Sequence, residues 1–171
     1  ITELVNCFNR LLQKNPSLRL VLVGQFEKQL DPLAPATEKE ITHNNSIIHI
    51  YWSGRVEYYM ALADYFVFPS YREGFPNVLL EAGAMKLPII CSNIGGNIDI
   101  VTHQDTGLIY DTYNEADMQE KMEWALNHKD EMAKMSEKLY EKVTTEYKRE
   151  TFWAQMNQQY KKLIKENNIL K

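Results

Sequence analysis

The 171-residue sequence has little of several features that define whole classes of protein. Its 2 cysteines, 7 glycines and 6 prolines are too few for a disulfide-rich, collagen-like or low-complexity chain. Apolar runs such as residues 20–23 and 87–91 contain only four or five residues, whereas a helix that spans a bilayer needs roughly 20. No secretory segment follows Ile1. We therefore expect a cytoplasmic piece of a longer protein, with both thiols reduced.

Basic side chains are scarce in the first two-thirds of the chain. Residues 1–116 carry 8 Lys and Arg against 13 Asp and Glu (8 − 13 = −5), and residues 117–171 carry 11 against 10 (+1), which gives the net charge of −4. An acidic body offers little positive surface to a phosphate backbone. Nucleic acid is therefore not an expected partner.

Motifs of several enzyme classes are also missing. The 4 histidines lack the spacing, to one another or to cysteine, that metal-ligand sets show. The chain contains neither Gly-x4-Gly-Lys-Ser/Thr nor Gly-x-Gly-x-x-Gly, and no Gly-x-Ser-x-Gly elbow. Metal-dependent, P-loop, dehydrogenase and serine-hydrolase chemistry are therefore not predicted, and we expect neither a metal nor a cofactor.

Segments whose apolar residues recur at helical spacing alternate along the chain with short extended apolar runs, and this pattern predicts an α/β fold. Extended runs are predicted at residues 18–23, 47–52, 65–68, 87–92 and 107–110, and helices at 1–14, 57–63, 76–85, 95–103, 115–127, 130–146 and 150–166. Strands that are apolar on both faces and alternate with helices are typical of a parallel sheet between two helical layers. We predict a Rossmann-like, doubly wound parallel sheet with extra C-terminal helices and with ligands at the carboxyl ends of its strands.

The end of the chain is predicted to differ from this body, which divides the sequence into residues 1–148 and 149–171. A wide apolar stripe at helical spacing marks the second part, formed by Phe152, Trp153, Met156, Tyr160, Leu163 and Ile164. The stripe packs either on the sheet of the same domain or, in part, on a second domain that this chain does not contain.

The segment from residue 64 to residue 83 combines polar groups with a helix start. A buried run leads into a loop that carries Glu73, Gly74 and Phe75, and Pro76 suits the first turn of the helix that follows. Unpaired N–H groups and the positive end of the helix dipole meet at such a point. The segment therefore predicts an anion site made from backbone groups.

Two carboxylates, Glu73 and Glu81, frame this predicted anion site. Carboxylates accept paired hydrogen bonds, so the two side chains suit different parts of a polyhydroxyl ligand. The structural alternative is a helix-dipole partner at Glu73 and a solvated helix face at Glu81. A glycosidase pair is a further alternative, which would require a separation of about 5–9.5 Å.

The stretch ALADYFVFPSYREGFPNVLLEAGAMKLPIICSNIGG resembles the nucleotide-sugar-binding half of the family 4 retaining glycosyltransferases. These enzymes have the GT-B architecture, in which two Rossmann-like domains face each other across a cleft. The resemblance rests on Pro-Ser, Glu-Gly-Phe-Pro, Leu-Glu-Ala and Gly-Gly in the family's order, and it extends over about residues 17–127. Bacterial enzymes that assemble capsular or O-antigen polysaccharide are the most similar in character.

The resemblance implies a role for each matching residue. Glu73 corresponds to the catalytic-site glutamate that binds the donor sugar, and Glu81 to the glutamate that binds the ribose hydroxyls. The other donor-binding positions it implies are Gly74, Phe75 and Pro76 at the sugar and diphosphate, Gly54 and Arg55 beside the base, and Gly24 after the first strand.

For the whole protein, the resemblance implies transfer of a sugar from a nucleoside-diphosphate sugar with retention. UDP is the predicted nucleotide, and a glycan or lipid-linked acceptor would bind an amino-terminal domain that is not in this sequence. An Arg and a Lys that hold the diphosphate in relatives would precede Ile1, so we expect the isolated chain to be inactive. Peripheral association of the full-length protein with the inner face of the membrane is a further expectation. Two alternatives stay open: a nucleotide-sugar epimerase-like domain, and a non-catalytic nucleotide- or protein-binding domain.

Overall fold

The computed structural model describes residues 1–27, 29 and 32–166, in which helices and strands alternate. The strands are β1 (Leu20–Val23), β2 (Ile47–Ile50), β3 (Phe66–Phe68), β4 (Ile89–Ser92) and β5 (Leu108–Tyr110). The helices are α1 (Thr2–Lys14), α2 (Pro35–His43), α3 (Val56–Leu62), α4 (Asn77–Ala84), α5 (Gly95–Ile100), α6 (Glu115–Asn127), α7 (Lys129–Glu146) and α8 (Arg149–Glu166). Each predicted strand is confirmed, although each is shorter than predicted by one or two residues.

The central strands alternate their side chains between two separate cores. In β4, Ile89 and Cys91 belong to the core that α4, α5 and α7 cover, while Ile90 belongs to the core that α1 and α6 cover. Strands β3 and β5 divide their side chains in the same way, because successive residues of a strand point to opposite faces. Helices therefore cover both faces of parallel strands, which confirms the predicted Rossmann-like, doubly wound fold class.

The strands form two parallel ladders, and in this the structure differs from the single sheet that we expected. Strands β1 and β2 form one ladder, in which Leu20 lies opposite Ile47, and β3, β4 and β5 form the other in that order. The two ladders meet through side chains, because Leu20 and Leu22 of β1 and Val67 of β3 pack against the same core.

Helix α1 links the two ladders. Its residues Leu4, Cys7 and Leu11 enter the core of the three-stranded ladder, whereas Val5 and Phe8 enter the core that covers β1 and β2. A helix presents residues three and four apart on one face, so a wide apolar stripe serves two neighbouring cores. The amphipathic first helix predicted from the sequence is therefore confirmed.

The chain ends in two helices of 18 residues each, α7 and α8. In α8, the side chains of Trp153, Tyr160 and Leu163 are about half exposed. The side chain of Phe152, from the same stripe, and all of residues 167–171 lie outside the part that the structure describes. The division at residue 148 and the surface that covers this stripe therefore stay predictions. Among the helices described, none is long and apolar enough to cross a membrane.

Leu139 of α7 is expected to be a major contributor to stability. Its side chain is 0% exposed and packs in the core of α4 and β4, whereas Leu62 at the end of α3 is 85% exposed. Leu139→Ala should lower the free energy of unfolding in urea by about 2–5 kcal/mol, because it leaves a cavity. Leu62→Ala, the matched control, should change it by no more than about 0.5 kcal/mol. Equal effects of the two substitutions would contradict this account of the core.

Candidate functional site

The loop between β3 and α4 lies at the carboxyl edge of the three-stranded ladder. Strand β3 ends at Phe68 and α4 begins at Asn77, one residue later than predicted from the sequence. Pro76 is instead the N-cap residue, with a φ of −79°, and its carbonyl oxygen accepts a hydrogen bond from the N–H of Leu79 at 3.0 Å. The buried proline therefore fixes the point at which the loop becomes a helix.

Glu73 is held within this loop by a side chain from the same turn. The hydroxyl of Ser70 donates a hydrogen bond to Oε1 of Glu73 at 2.7 Å, and the Glu73 side chain is only partly buried. A hydrogen bond to an ionised acceptor is short and strong. One carboxylate oxygen is therefore oriented by Ser70.

Gly96 allows the start of α5 to touch the Glu73 loop. A Cβ atom at Gly96 would lie 2.7 Å from the carbonyl oxygen of Gly74, 3.1 Å from that of Glu73 and 3.1 Å from Cδ of Pro76. All three are backbone or ring atoms, which move only if the loop itself moves. The structure therefore brings the Glu-Gly-Phe-Pro segment and the Gly-Gly turn into direct contact.

A buried polar cluster beneath the loop was missed in the sequence analysis. Ser92, the last residue of β4, donates a hydrogen bond to the carbonyl oxygen of Ser70, and Nδ2 of Asn97 lies 3.1 Å from Oγ and 3.0 Å from the carbonyl oxygen of Ser92. Ser92 and Asn97 are both fully buried. The available signal was weak: a single serine that ends an apolar run, and an asparagine just after two glycines.

Two atoms of this cluster have no hydrogen-bond partner within the described part of the chain. They are Oδ1 of Asn97 and the hydroxyl of Tyr110. Burial raises the pKa of Tyr110 well above its usual range, and the neighbouring Ser92 hydroxyl opposes that rise. The tyrosine is therefore neutral at physiological pH and able to donate a hydrogen bond.

The N-terminus of α4 presents backbone N–H groups beside the loop. No side chain of the described residues caps this helix. The N–H of Leu79 donates to the Pro76 carbonyl oxygen, whereas the N–H groups of Asn77 and Val78 have no acceptor among the described residues. Glu81 is the fifth residue of α4, and its side chain is exposed. Phe75 is partly exposed, with its ring 5.8 Å from the ring of Tyr147. The helix start thus combines positive backbone charge with an accessible carboxylate.

Gly24 lies at the carboxyl edge of the other ladder, directly after β1. Its φ of +139° is a conformation that only glycine adopts without strain. Its N–H donates to the carbonyl oxygen of Ile50 at 2.9 Å, and its own carbonyl oxygen lies 2.7 Å from Nε2 of His49. Phe26, two residues after Gly24, stacks on the His49 ring at 4.4 Å. The hydrogen bonds of Gly24 therefore stabilise the turn after β1.

Arg55 lies against the side chains of its own helix start. Its Nη1 donates to the hydroxyl of Tyr58 at 2.6 Å, and its guanidinium lies 5.3 Å from the centre of the Tyr58 ring and 3.9 Å from the Glu57 carboxylate. The Trp52 ring covers the preceding Gly54, where a Cβ atom would lie 3.2 Å from that ring. The contacts of Arg55 are therefore with α3, and its role beside a base stays a prediction.

Tyr71 ties the loop to two other parts of the chain, and nothing in the sequence pattern indicated this. Its hydroxyl donates to the carboxylate of Glu3 in α1, and its ring stacks on that of Tyr113 at 4.5 Å. Partial burial pushes the pKa of Glu3 upward, but the hydrogen bond from Tyr71 and other interactions lower it overall. The loop is therefore fastened from the α1 side as well as from α5.

A separate open cavity of about 400 Å³ lies beside β5. It is lined by Asn93, His103, Ile109, Asp111, Asp117 and Lys121. Several of these side chains already serve the local structure, because Asp117 accepts from the N–H of Asp111 at 2.7 Å and pairs with Lys121 at 3.0 Å. Across the described residues, no group of three or more His, Cys, Asp or Glu is arranged to hold a metal ion.

Substitution of Gly96 tests the close contact between the start of α5 and the Glu73 loop. Gly96→Ala should lower the free energy of unfolding by about 1–3 kcal/mol, because the new methyl group would overlap backbone atoms of Gly74. Its amide NMR shifts should change mainly in residues 70–77. Gly95→Ala is the matched control, since a Cβ there meets nothing within 4 Å. If both variants were equally stable and showed the same spectra around the loop, the close contact would be wrong.

The chain is similar in sequence to a curated bacterial protein. The curated protein "Capsular polysaccharide biosynthesis glycosyltransferase CapM" of Staphylococcus aureus is 27% identical over 168 residues, which cover 98% of this chain and 44% of that protein. The chain thus spans less than half the length of this relative.

Solved structures share the fold at lower identity. Anabaena Alr3699/HepE in complex with UDP superposes with a TM-score of 0.79 at 18% identity, over 94% of this chain and 44% of that chain. The C-terminal domain of the Glycosyl Transferase Group 1 family protein LpcC of Francisella tularensis gives a TM-score of 0.75 at 22% identity, over 86% of this chain and 79% of that one. Likeness at this identity shows a common fold.

The family itself follows from the sequence profile that matches the chain. The profile described as "Glycosyl transferases group 1" covers residues 1–142, which include all five strands and the complete Glu73 loop. Because the match extends over most of the 171 residues, the chain belongs to the glycosyl transferases group 1 family.

Proposed function

We propose that this chain is the donor-binding domain of a glycosyltransferase and that it binds a nucleoside-diphosphate sugar. One observation carries the proposal: the Glu73 loop is locked against Gly96 directly before the uncapped start of α4, at the carboxyl edge of a parallel sheet. Ligands of doubly wound folds bind at that edge. Two names support the ligand class, because the solved neighbour HepE is in complex with UDP in one structure and with UDP-glucose in another.

Glu73 is proposed to bind hydroxyls of the donor sugar. Its Oε1 atom is held by Ser70, and a carboxylate has further acceptor positions for vicinal hydroxyls. Glu81 is proposed to bind the ribose hydroxyls from its exposed position on α4. The two carboxylates would thus hold two different parts of one extended ligand.

The diphosphate is proposed to lie at the start of α4. The helix dipole and the free N–H groups there favour an anion without requiring a basic side chain. This suits a body whose first 116 residues carry a charge of −5 (8 − 13). Arg55 is proposed to lie beside the base, which we take to be uracil, and to leave its contact with Tyr58 when it stacks on the base.

For the whole protein, we propose transfer with retention onto a glycan or lipid-linked acceptor in bacterial surface polysaccharide synthesis. The bond from the anomeric carbon to the diphosphate oxygen breaks, and its electron pair leaves with the nucleoside diphosphate. The acceptor hydroxyl then bonds to the same face of the sugar, and its proton passes to the departing diphosphate. Positioning of the donor and stabilisation of the leaving group's charge supply the catalysis. The name of CapM supports a role in capsular polysaccharide.

Glu81 provides the test of nucleotide binding. A thermal-shift screen of the 171-residue chain against UDP-, GDP-, ADP- and TDP-sugars should show the largest increase in melting temperature with a UDP-sugar. In calorimetry, Glu81→Ala should weaken UDP binding by about 1–3 kcal/mol, because it removes charged hydrogen-bond acceptors. Glu131→Ala, at an exposed glutamate in the first turn of α7, should leave the affinity unchanged. An unchanged UDP affinity in Glu81→Ala would remove Glu81 from the proposed site.

Sugar transfer by the isolated chain provides a second test. The chain alone should bind the donor but transfer no sugar to a lipid-linked acceptor, because the acceptor is proposed to bind a second domain. Radiolabelled UDP-glucose with an undecaprenyl-linked acceptor, followed by extraction of the lipid, measures this directly. Transfer by the isolated chain would show that the acceptor site lies within these residues. Conversion of the donor to an epimer would instead favour the epimerase alternative.

A further inference from the structure

We propose that Ser92 and Asn97 are positioning residues that set the Glu73 carboxylate against the donor sugar, acting through Ser70. The inference rests on the proposed function, because it requires Glu73 to bind the sugar. Neither residue is assigned to donor binding by the family motif described above. Both act from beneath the loop, where their side chains are fully buried.

Three hydrogen bonds join Asn97, Ser92, Ser70 and Glu73, with the last two bonds made by different groups of Ser70, its carbonyl oxygen and its hydroxyl. Nδ2 of Asn97 donates to Oγ of Ser92 at 3.1 Å, and that hydroxyl donates to the carbonyl oxygen of Ser70. The Ser70 hydroxyl then donates to Oε1 of Glu73 at 2.7 Å. Three links therefore connect a buried amide of α5 to a partly exposed carboxylate on the loop.

The hydrogen bond from the Ser92 hydroxyl joins two different elements of the fold. Ser92 and Ser70 are 22 positions apart, and the bond joins the end of β4 to the loop that follows β3. Ser136, another buried serine, instead bonds to the carbonyl oxygen of Ala133 within its own helix, at 2.8 Å. A serine that bonds within its helix has only a local effect. Ser92 fixes the position of a different segment.

Polar groups buried this deeply lower the stability of the fold unless they are hydrogen-bonded. Oδ1 of Asn97 is buried without a partner among the described residues. A buried polar atom without a partner lowers stability, because it loses its hydration and gains no hydrogen bond in return. Apolar side chains of similar shape would avoid that cost, so the cluster does not serve core stability alone. The hydrogen bonds of the cluster instead fix the position of the loop.

The groups proposed to bind the sugar and those proposed to bind the nucleotide are held by different contacts. The Ser92 and Asn97 bonds reach Glu73. The start of α4 is instead held by the bond from the Leu79 N–H to the Pro76 carbonyl oxygen at 3.0 Å, and Glu81 by the bond from the Met85 N–H to its carbonyl oxygen at 3.1 Å. Loss of the Ser92 hydroxyl should therefore disturb sugar binding and leave the nucleotide contacts intact. A residue that only stabilises the fold would affect both ends alike.

The test compares two ligands on the same variants of the 171-residue chain. Calorimetry gives the dissociation constants of UDP and UDP-glucose, and the readout is the ratio of the two. Ser92→Ala should shift that ratio by about 3- to 10-fold against UDP-glucose, the effect of one hydrogen bond. The affinity for UDP itself should stay within about 2-fold of the unsubstituted chain, since its contacts do not involve Ser92.

Matched variants make the result specific. Ser136→Ala removes another buried serine hydroxyl and should leave the ratio unchanged. Ser70→Ala removes the hydroxyl that touches Glu73 and should shift the ratio in the same direction as Ser92→Ala. If Ser92→Ala does not fold, as judged by its melting curve, Ser92→Cys keeps the size of the side chain with a weak S–H donor and should show the same shift.

Three results would overturn the inference. The first is an unchanged ratio in Ser92→Ala or Ser92→Cys, and the second is an equal loss of affinity for UDP and UDP-glucose, which would mark a purely structural role. Both leave the proposed function standing. The third is an unsubstituted chain that binds neither ligand, which would overturn the proposed function as well.

Discussion

Strand β4 is buried on both faces, and the rest of the molecule is arranged around that constraint. Ile89, Ile90, Cys91 and Ser92 are each no more than 1% exposed, and burial raises the pKa of the Cys91 thiol to about 12. A strand without a solvated face needs a helical layer on each side and a hydrogen-bonded neighbour on each edge. Helices α1 and α6 cover one face, α4 and α7 cover the other, and β3 and β5 complete the edges.

The candidate site is built on the carboxyl end of the same strand. Where the apolar side chains stop, Ser92 provides a buried hydroxyl, and four residues later Gly96 provides a surface without a side chain. The loop after β3 rests on both, through one hydrogen bond to Ser70 and through direct contact with Gly74. The position of the loop after β3 therefore depends on how firmly β4 is packed in the core.

Much of this arrangement was predictable from the sequence, because its signals are local. The periods of the apolar residues predicted every strand, and the Glu-Gly-Phe-Pro segment indicated Glu73 and the helix after it. The contact between Ser92 and Ser70 was not predictable, because it depends on the register that pairs Phe68 with Cys91. The separation of the strands into two ladders also depends on packing distances that no short pattern contains.

The way the loop is fastened has a thermodynamic consequence for any ligand that it binds. Pro76 restricts the backbone at the start of α4, Gly96 supports the loop from α5, and Tyr71 joins it to Glu3 and Tyr113. Segments that order only when a ligand arrives lose conformational entropy at that moment, which weakens association. Here most of that entropy is already lost during folding, so the free energy of the new contacts is available for affinity and for discrimination between similar ligands.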